Sequence, residues 1–149
     1  MADQLYNQQI LRLAADGGLA ARLAPAAGTA DGTAAGTAVK VSPICGSRVT
    51  ADIRLTPQGK ISAHGQEVRA CALGQAAATL VAQNIIGTDE TTLIAARTQL
   101  ADWLSGISDQ APDWPGMHVF APARPHRARH PSILLAFDAA IAATKAAKA

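Results

Sequence analysis

The spacing of apolar positions changes along the chain, and each change marks an element. Leu5, Tyr6, Ile10, Leu13 and Ala14 recur at helical spacing and predict a short amphipathic helix over 3–15, ended by Gly17 and Gly18. From 24 to 38 the chain is rich in Ala, Gly and Thr with nothing large to bury, which predicts a flexible connection. Thr37, Val39, Val41 and, beyond Pro43, Ile44 favour extended backbone, and the proline places that segment at an edge or a bend. Val49, Ile53 and Leu55 predict a second strand over 47–55. Thr56-Pro57-Gln58-Gly59 is a turn, and 61–68 a third strand weakened by Gly65. Short links between three strands imply an antiparallel meander.

Beyond Cys71 the period becomes helical. Leu73, Ala76, Ala77, Leu80, Val81, Asn84 and Ile85 predict a helix that stops at Gly87. Thr88 or Asp89 can cap a second one running to about Ser105, with Leu93, Ala96, Leu100, Trp103 and Leu104 on one face. Gly, Pro, Asp and basic residues over 106–131 predict a long loop, functional or mobile. Ile133, Leu134, Phe137, Ile141 and Thr144 share a face of a last helix over 132–147. The expected fold class is α+β: a small three-stranded antiparallel sheet with helices packed on one face. One domain is expected over residues 1–149.

Composition narrows the function. Apolar residues are 49% of the chain, but many are alanines, so the core has to lean on Leu, Ile and Val. A net charge of +2 and an aromatic share of 3% argue against a nucleic-acid partner. No apolar run reaches the roughly 18 residues of a membrane span, and the N-terminus has no basic start followed by an apolar block. The expected compartment is cytoplasmic, where Cys45 and Cys71 stay reduced as free thiols or ligands.

Candidate chemistry lies at the junctions. Cys45-Gly46 falls at the turn between the first two strands, Cys71 where the third strand gives way to a helix, and His130 just before the last helix. Side chains at element ends can converge on one pocket, and thiolate with imidazole suits zinc, iron and iron–sulfur clusters. The plainer readings are small buried cysteines and a capping histidine. His64 is expected to face solvent, and the neighbours of His118 to form loop packing. Arg124 to His130 forms the dense positive patch of the chain: a solvated loop, or a docking surface for an acidic partner. No phosphate-loop pattern, catalytic triad or carboxylate pair stands out.

Three segments carry a family resemblance: Pro43-Ile44-Cys45-Gly46, Cys71-Ala72-Leu73-Gly74-Gln75-Ala76, and His130-Pro131-Ser132-Ile133-Leu134. In order and spacing they resemble the ligand segments of the IscU/NifU N-terminal iron–sulfur cluster scaffolds: Cys-Gly-Asp, Gly-Cys-Gly-Ser-Ala and His-Cys-Ser. The resemblance covers about residues 3–147. It implies that Cys45 and Cys71 match the first two ligand cysteines and His130 the histidine before the third. Pro131 stands where that third cysteine would be, and Ser47 where the aspartate would be. The Leu-Pro-Pro-Val-Lys stretch that recruits a chaperone in the family meets Arg124-Pro125-His126-Arg127-Ala128 here.

The resemblance implies a scaffold, not an enzyme, that takes sulfur from a cysteine desulfurase and passes a cluster to apo-protein acceptors. The implied metal ligands are Cys45, Cys71 and His130, with Ser47, His126 or Glu67 as a further ligand or supporting acceptor. A homodimer would supply four cysteines; His126 would give a Cys2His2 set. The alternative is a zinc-binding regulatory or interaction module on the same fold, and an open coordination position would suit a metal-assisted enzyme.

Overall fold

A computed structural model describes residues 7–16, 21–24, 34–44 and 46–149. Its elements follow as α1 (Gln8–Ala15), β1 (Ala34–Val41), β2 (Arg48–Leu55), β3 (Ile61–Arg69), α2 (Ala72–Asn84), α3 (Glu90–Ser105), 3-10 helices at Met117–Ala123 and Arg127–Arg129, and α4 (His130–Lys148). The strands form an antiparallel sheet in the order β1-β2-β3, the meander expected from the short links. Helices α2 and α4 lie on its inner face, α1 packs on α2, and α3 on α4. The fold is therefore α+β with the helices on one face of the sheet, as the sequence predicts.

Alternation along β2 separates the two faces. Val49, Ala51, Ile53 and Leu55 point inward into the core, where they are buried. Thr50 and Asp52 point outward. The many alanines have a packing role: Ala136, Ala139, Ala140, Ala143 and Ala147 of α4 are all buried and let the helix lie close on the sheet. Gly36 of β1 completes that approach, since a Cβ there would collide with the backbone at Ala143 and Ala147.

The outer face is covered differently. Residues 21–24 run across it as a strap. The Arg22 guanidinium donates to both Asp52 carboxylate oxygens at 2.6 and 3.0 Å, and the Leu23 amide and Thr37 hydroxyl donate to the same carboxylate at 3.1 and 2.7 Å. Arg54 donates to the Ala24 carbonyl at 2.6 Å. A Cβ on Gly65 would lie 2.5 Å from the Ala21 carbonyl oxygen and 2.6 Å from the Leu23 amide, so this strand glycine is a seat for the strap.

Several sequence expectations are corrected. The predicted connection over 24–38 is shorter: Ala34 to Ala38 belong to β1, because the strand needs only small side chains beneath α4. Residues 25–33 lie outside the described residues, as do Leu5, Tyr6, Gly17 and Gly18. The first helix is capped by Asn7, whose side chain accepts from the Ile10 amide at 3.0 Å. The stretch 106–131 is not an open loop. Trp114, Met117, Val119, Phe120 and Ala123 are buried; Trp114 donates to the Leu80 carbonyl at 2.8 Å and meets Phe137 edge-to-face at 5.0 Å. Within it His118 is exposed and its neighbours Met117 and Val119 do the packing, as the sequence predicts.

His64 does not face solvent as expected. It pairs with Ile53 on the inner face, two residues before Gln66, whose side chain donates to the Ala78 carbonyl of α2 at 3.0 Å. Its Nε2 is shielded without a hydrogen-bond partner, and burial pushes its pKa down to about 4 against a smaller upward pull from Asp52.

Candidate functional site

Three chain segments meet at one end of the sheet. The first is the β1–β2 turn, closed by the Ser42 amide donating to the Ser47 carbonyl at 2.8 Å and the Gly46 amide donating to the Ser42 carbonyl at 2.8 Å. Gly46 has φ of +72°, the left-handed conformation that glycine takes without strain. Cys45 sits in this turn by sequence but lies outside the described residues.

The second segment is the start of α2. Cys71 is its N-cap residue, half-buried, a free thiol, and its side chain makes no capping hydrogen bond. Its carbonyl accepts from the Gln75 amide at 2.9 Å, and the Gln75 side chain donates back to the Ala70 carbonyl at 3.0 Å. The thiol is thus held at a fixed helix start and not spent on the cap.

The third segment is the start of α4, where His130 and Ser132 are buried. His130 Nε2 lies 2.9 Å from the Ala123 carbonyl oxygen. A carbonyl only accepts, so Nε2 carries a proton, which leaves Nδ1 as the nitrogen that could ligate a metal. A histidine ligand is oriented in this way when its other nitrogen donates to a backbone carbonyl.

Two contacts tie the segments together. Ser47 and Ser132 hydroxyls lie 3.3 Å apart in a buried setting, joining the turn to α4. Gly74 joins α2 to α4, since a Cβ there would come within 3.3 Å of the Ser132 carbonyl oxygen and 2.7 Å of the Ala70 Cβ. The structure therefore brings together the Gly46-Ser47 turn, the Cys71 helix start and the His130–Ser132 helix start. His126 is exposed on the turn before His130. Glu67 points from the outer face and pairs with Arg69 at 3.4 Å. Among the described residues, no three His, Cys, Asp or Glu side chains are grouped to hold a metal ion.

Two contributors were not assigned roles by sequence reasoning. Ser132 was visible only as a position in the third segment; its bond to Ser47 spans 85 residues and leaves no local signal. The Ala123 carbonyl is backbone, so no residue type announces it.

No family description and no curated protein matches the sequence of this chain. Among solved structures, it is similar to a nitrogen-fixing NifU-like protein (N-terminal) from Brucella abortus, at 33% identity and a TM-score of 0.84, over 98% of this chain and 96% of that one. It also resembles a protein described as an iron–sulfur cluster assembly scaffold for the SUF system of Fervidobacterium islandicum AW-1, at 16% identity and TM-score 0.79, over 97% and 99% of the two chains. A third structure, of a hypothetical protein, matches at 16% identity and TM-score 0.72, over 93% and 98%. The architecture is that of the iron–sulfur cluster assembly scaffolds. Within that class, the chain belongs to the NifU-like N-terminal family.

Proposed function

We propose that this protein binds iron or a nascent iron–sulfur cluster as cargo through Cys45, Cys71 and His130, and hands it on. The observation that carries the reading is the convergence of the Ser47 turn, Cys71 and His130 at one end of a NifU-like fold. Cys71 supplies a thiolate from a rigid helix start. His130 supplies Nδ1, its tautomer fixed by the Ala123 carbonyl. Sulfur comes from a cysteine desulfurase and the cluster leaves for apo-protein acceptors, in the cytoplasm. The protein holds and transfers; it does not turn over a substrate by itself.

Two cysteines per chain fall short of the four protein ligands a cluster normally takes. A homodimer with Cys45 and Cys71 from each copy completes the set. Ser47 and Glu67 are weaker candidates than the sequence alone suggests, since the first lies against Ser132 and the second pairs with Arg69. His126 is exposed on the turn before His130 and would supply the second imidazole of a Cys2His2 set.

The small donor set favours one second reading: a zinc module with two thiolates, one imidazole and a water. Anaerobic reconstitution with iron and sulfide separates the two. Sulfur-to-iron absorption bands that elute with a dimer on gel filtration support the cluster. A colourless monomer holding one zinc supports the module, and a chain that takes up neither metal refutes both.

A further inference from the structure

The outer face of the sheet carries a polar concavity whose lining does not include Cys71. Register places Arg48 of β2 directly opposite Arg69 of β3, and Thr50 opposite Glu67 in the next row inward. Opposed side chains of an antiparallel pair have Cβ atoms about 5 Å apart, and like charges so placed destabilise the sheet. Arg22 reaches the same hollow from the strap. Together with Thr37 and Val39 these residues line a cavity of about 320 Å³.

The charges are unevenly satisfied. Arg22 spends two of its donors on Asp52. Arg69 leans on Glu67 at 3.4 Å, with both side chains largely exposed. Arg48 makes no ion pair among the described residues. Three guanidinium groups therefore face one hollow, one carboxylate lines it, and the Arg48–Arg69 repulsion is built into the strands. An anion between them would convert that repulsion into charge-assisted hydrogen bonds, for which the planar guanidinium fork is suited.

We propose that this hollow is a binding site for a small polyanion, a polyphosphate or a polycarboxylate, held by Arg48 and Arg69 with Arg22 at its rim. Glu67 works against the ligand while positioning Arg69 in its absence. Its lining includes neither Cys71 nor His130, and its ligand exchanges without covalent chemistry.

The test is a titration of the full chain with inorganic pyrophosphate and, in parallel, citrate at low salt, read by calorimetry and by amide shifts at Val39, Thr50 and Glu67. Saturable binding of one anion per chain is expected. Tighter pyrophosphate would identify the phosphate class, and tighter citrate the carboxylate class. Arg48→Ala and Arg69→Ala should each weaken binding about tenfold, whereas Arg127→Ala, on the exposed turn before α4, should leave it unchanged. Glu67→Gln should tighten binding severalfold, a gain that misfolding cannot produce. The proposal is overturned if neither anion saturates, if Arg48→Ala binds like the parent, if Arg127→Ala loses as much as Arg48→Ala, or if Glu67→Gln fails to tighten. It is equally overturned if a short glutamate peptide outcompetes both anions, since the hollow would then be a protein contact.

Discussion

The two faces of the sheet use the same backbone device for opposite kinds of cover. Gly36 on the inner face lets α4 descend onto β1; Gly65 on the outer face lets the strap lie on β3. Beneath α4 the contact is among alanines and branched aliphatics, with no charge to satisfy. Beneath the strap it is a buried carboxylate with donors from Arg22, Leu23 and Thr37. Close approach thus sets the geometry of both faces, and the outer one also rests on an ion pair. Among the described residues the inner-facing rows also hold Lys40, exposed near the end of β1, and the shielded His64.

The largest break in this comparison should come from Gly36→Val. The clash is with helix backbone, which cannot rotate away, and a loss of about 3 kcal/mol or more is expected. Urea unfolding would measure it; a value below about 1 kcal/mol would mean that α4 can shift freely on the sheet.

The pH dependence separates the faces next. His64 has a folded pKa near 4 against an ordinary 6.5, so the unfolded chain binds its proton first. Stability is full above about 6.5, falls as pH drops toward 4, and changes no further from this group below that, a loss of about 3 kcal/mol at most. Asp52 titrates lower. Burial pushes its pKa up, but hydrogen bonds from Arg22, Thr37 and the Leu23 amide outweigh that and hold it below the usual carboxylate value. Its contribution is present above the unfolded value of 3.8 and is lost as pH falls through the lower folded value. His64→Leu should flatten the upper limb of a stability–pH curve and Asp52→Asn the lower one. A curve with both limbs unchanged would contradict the assignment.

Gly65→Ala should displace the strap and cost about 2 kcal/mol, with faster amide exchange confined to residues 21–24 and the outer strand positions. Arg22→Ala should cost less, because the arginine is exposed and water replaces part of its interaction. If Arg22→Ala proved the costlier of the two, the ion pair and not the backbone seat would hold the strap.

Much of this fold could be read from apolar spacing because its elements are local and periodic. The meander, α2, α3 and α4 follow from runs such as Leu73 to Ile85 and Leu93 to Leu104. What escaped depends on distant partners. Ala34 to Ala38 looked like linker, because small residues carry no strand signal until α4 lies over them. His64 looked exposed beside a glycine, because the glycine serves the opposite face. The 106–131 stretch looked like a loop because 3-10 turns have no long apolar period, although Trp114 and Phe120 anchor it. For the site, the placement of Cys71 and His130 at element ends was legible, since turn and helix signals bracket both. The Ser47–Ser132 bond and the Ala123 carbonyl were not, because both arise only when the segments meet.

The central claim is that a NifU-like chain with two cysteines still holds metal at the convergence of Cys71 and His130 with the Cys45 turn. Elemental analysis of iron, zinc and acid-labile sulfide, on parent and Cys71→Ser protein purified without oxygen, tests it most directly. The account predicts iron and sulfide in near-equal amounts in the parent, lost in Cys71→Ser while its melting temperature stays close to that of the metal-free parent. A parent without iron or zinc, or a Cys71→Ser variant that keeps the full complement, would contradict it.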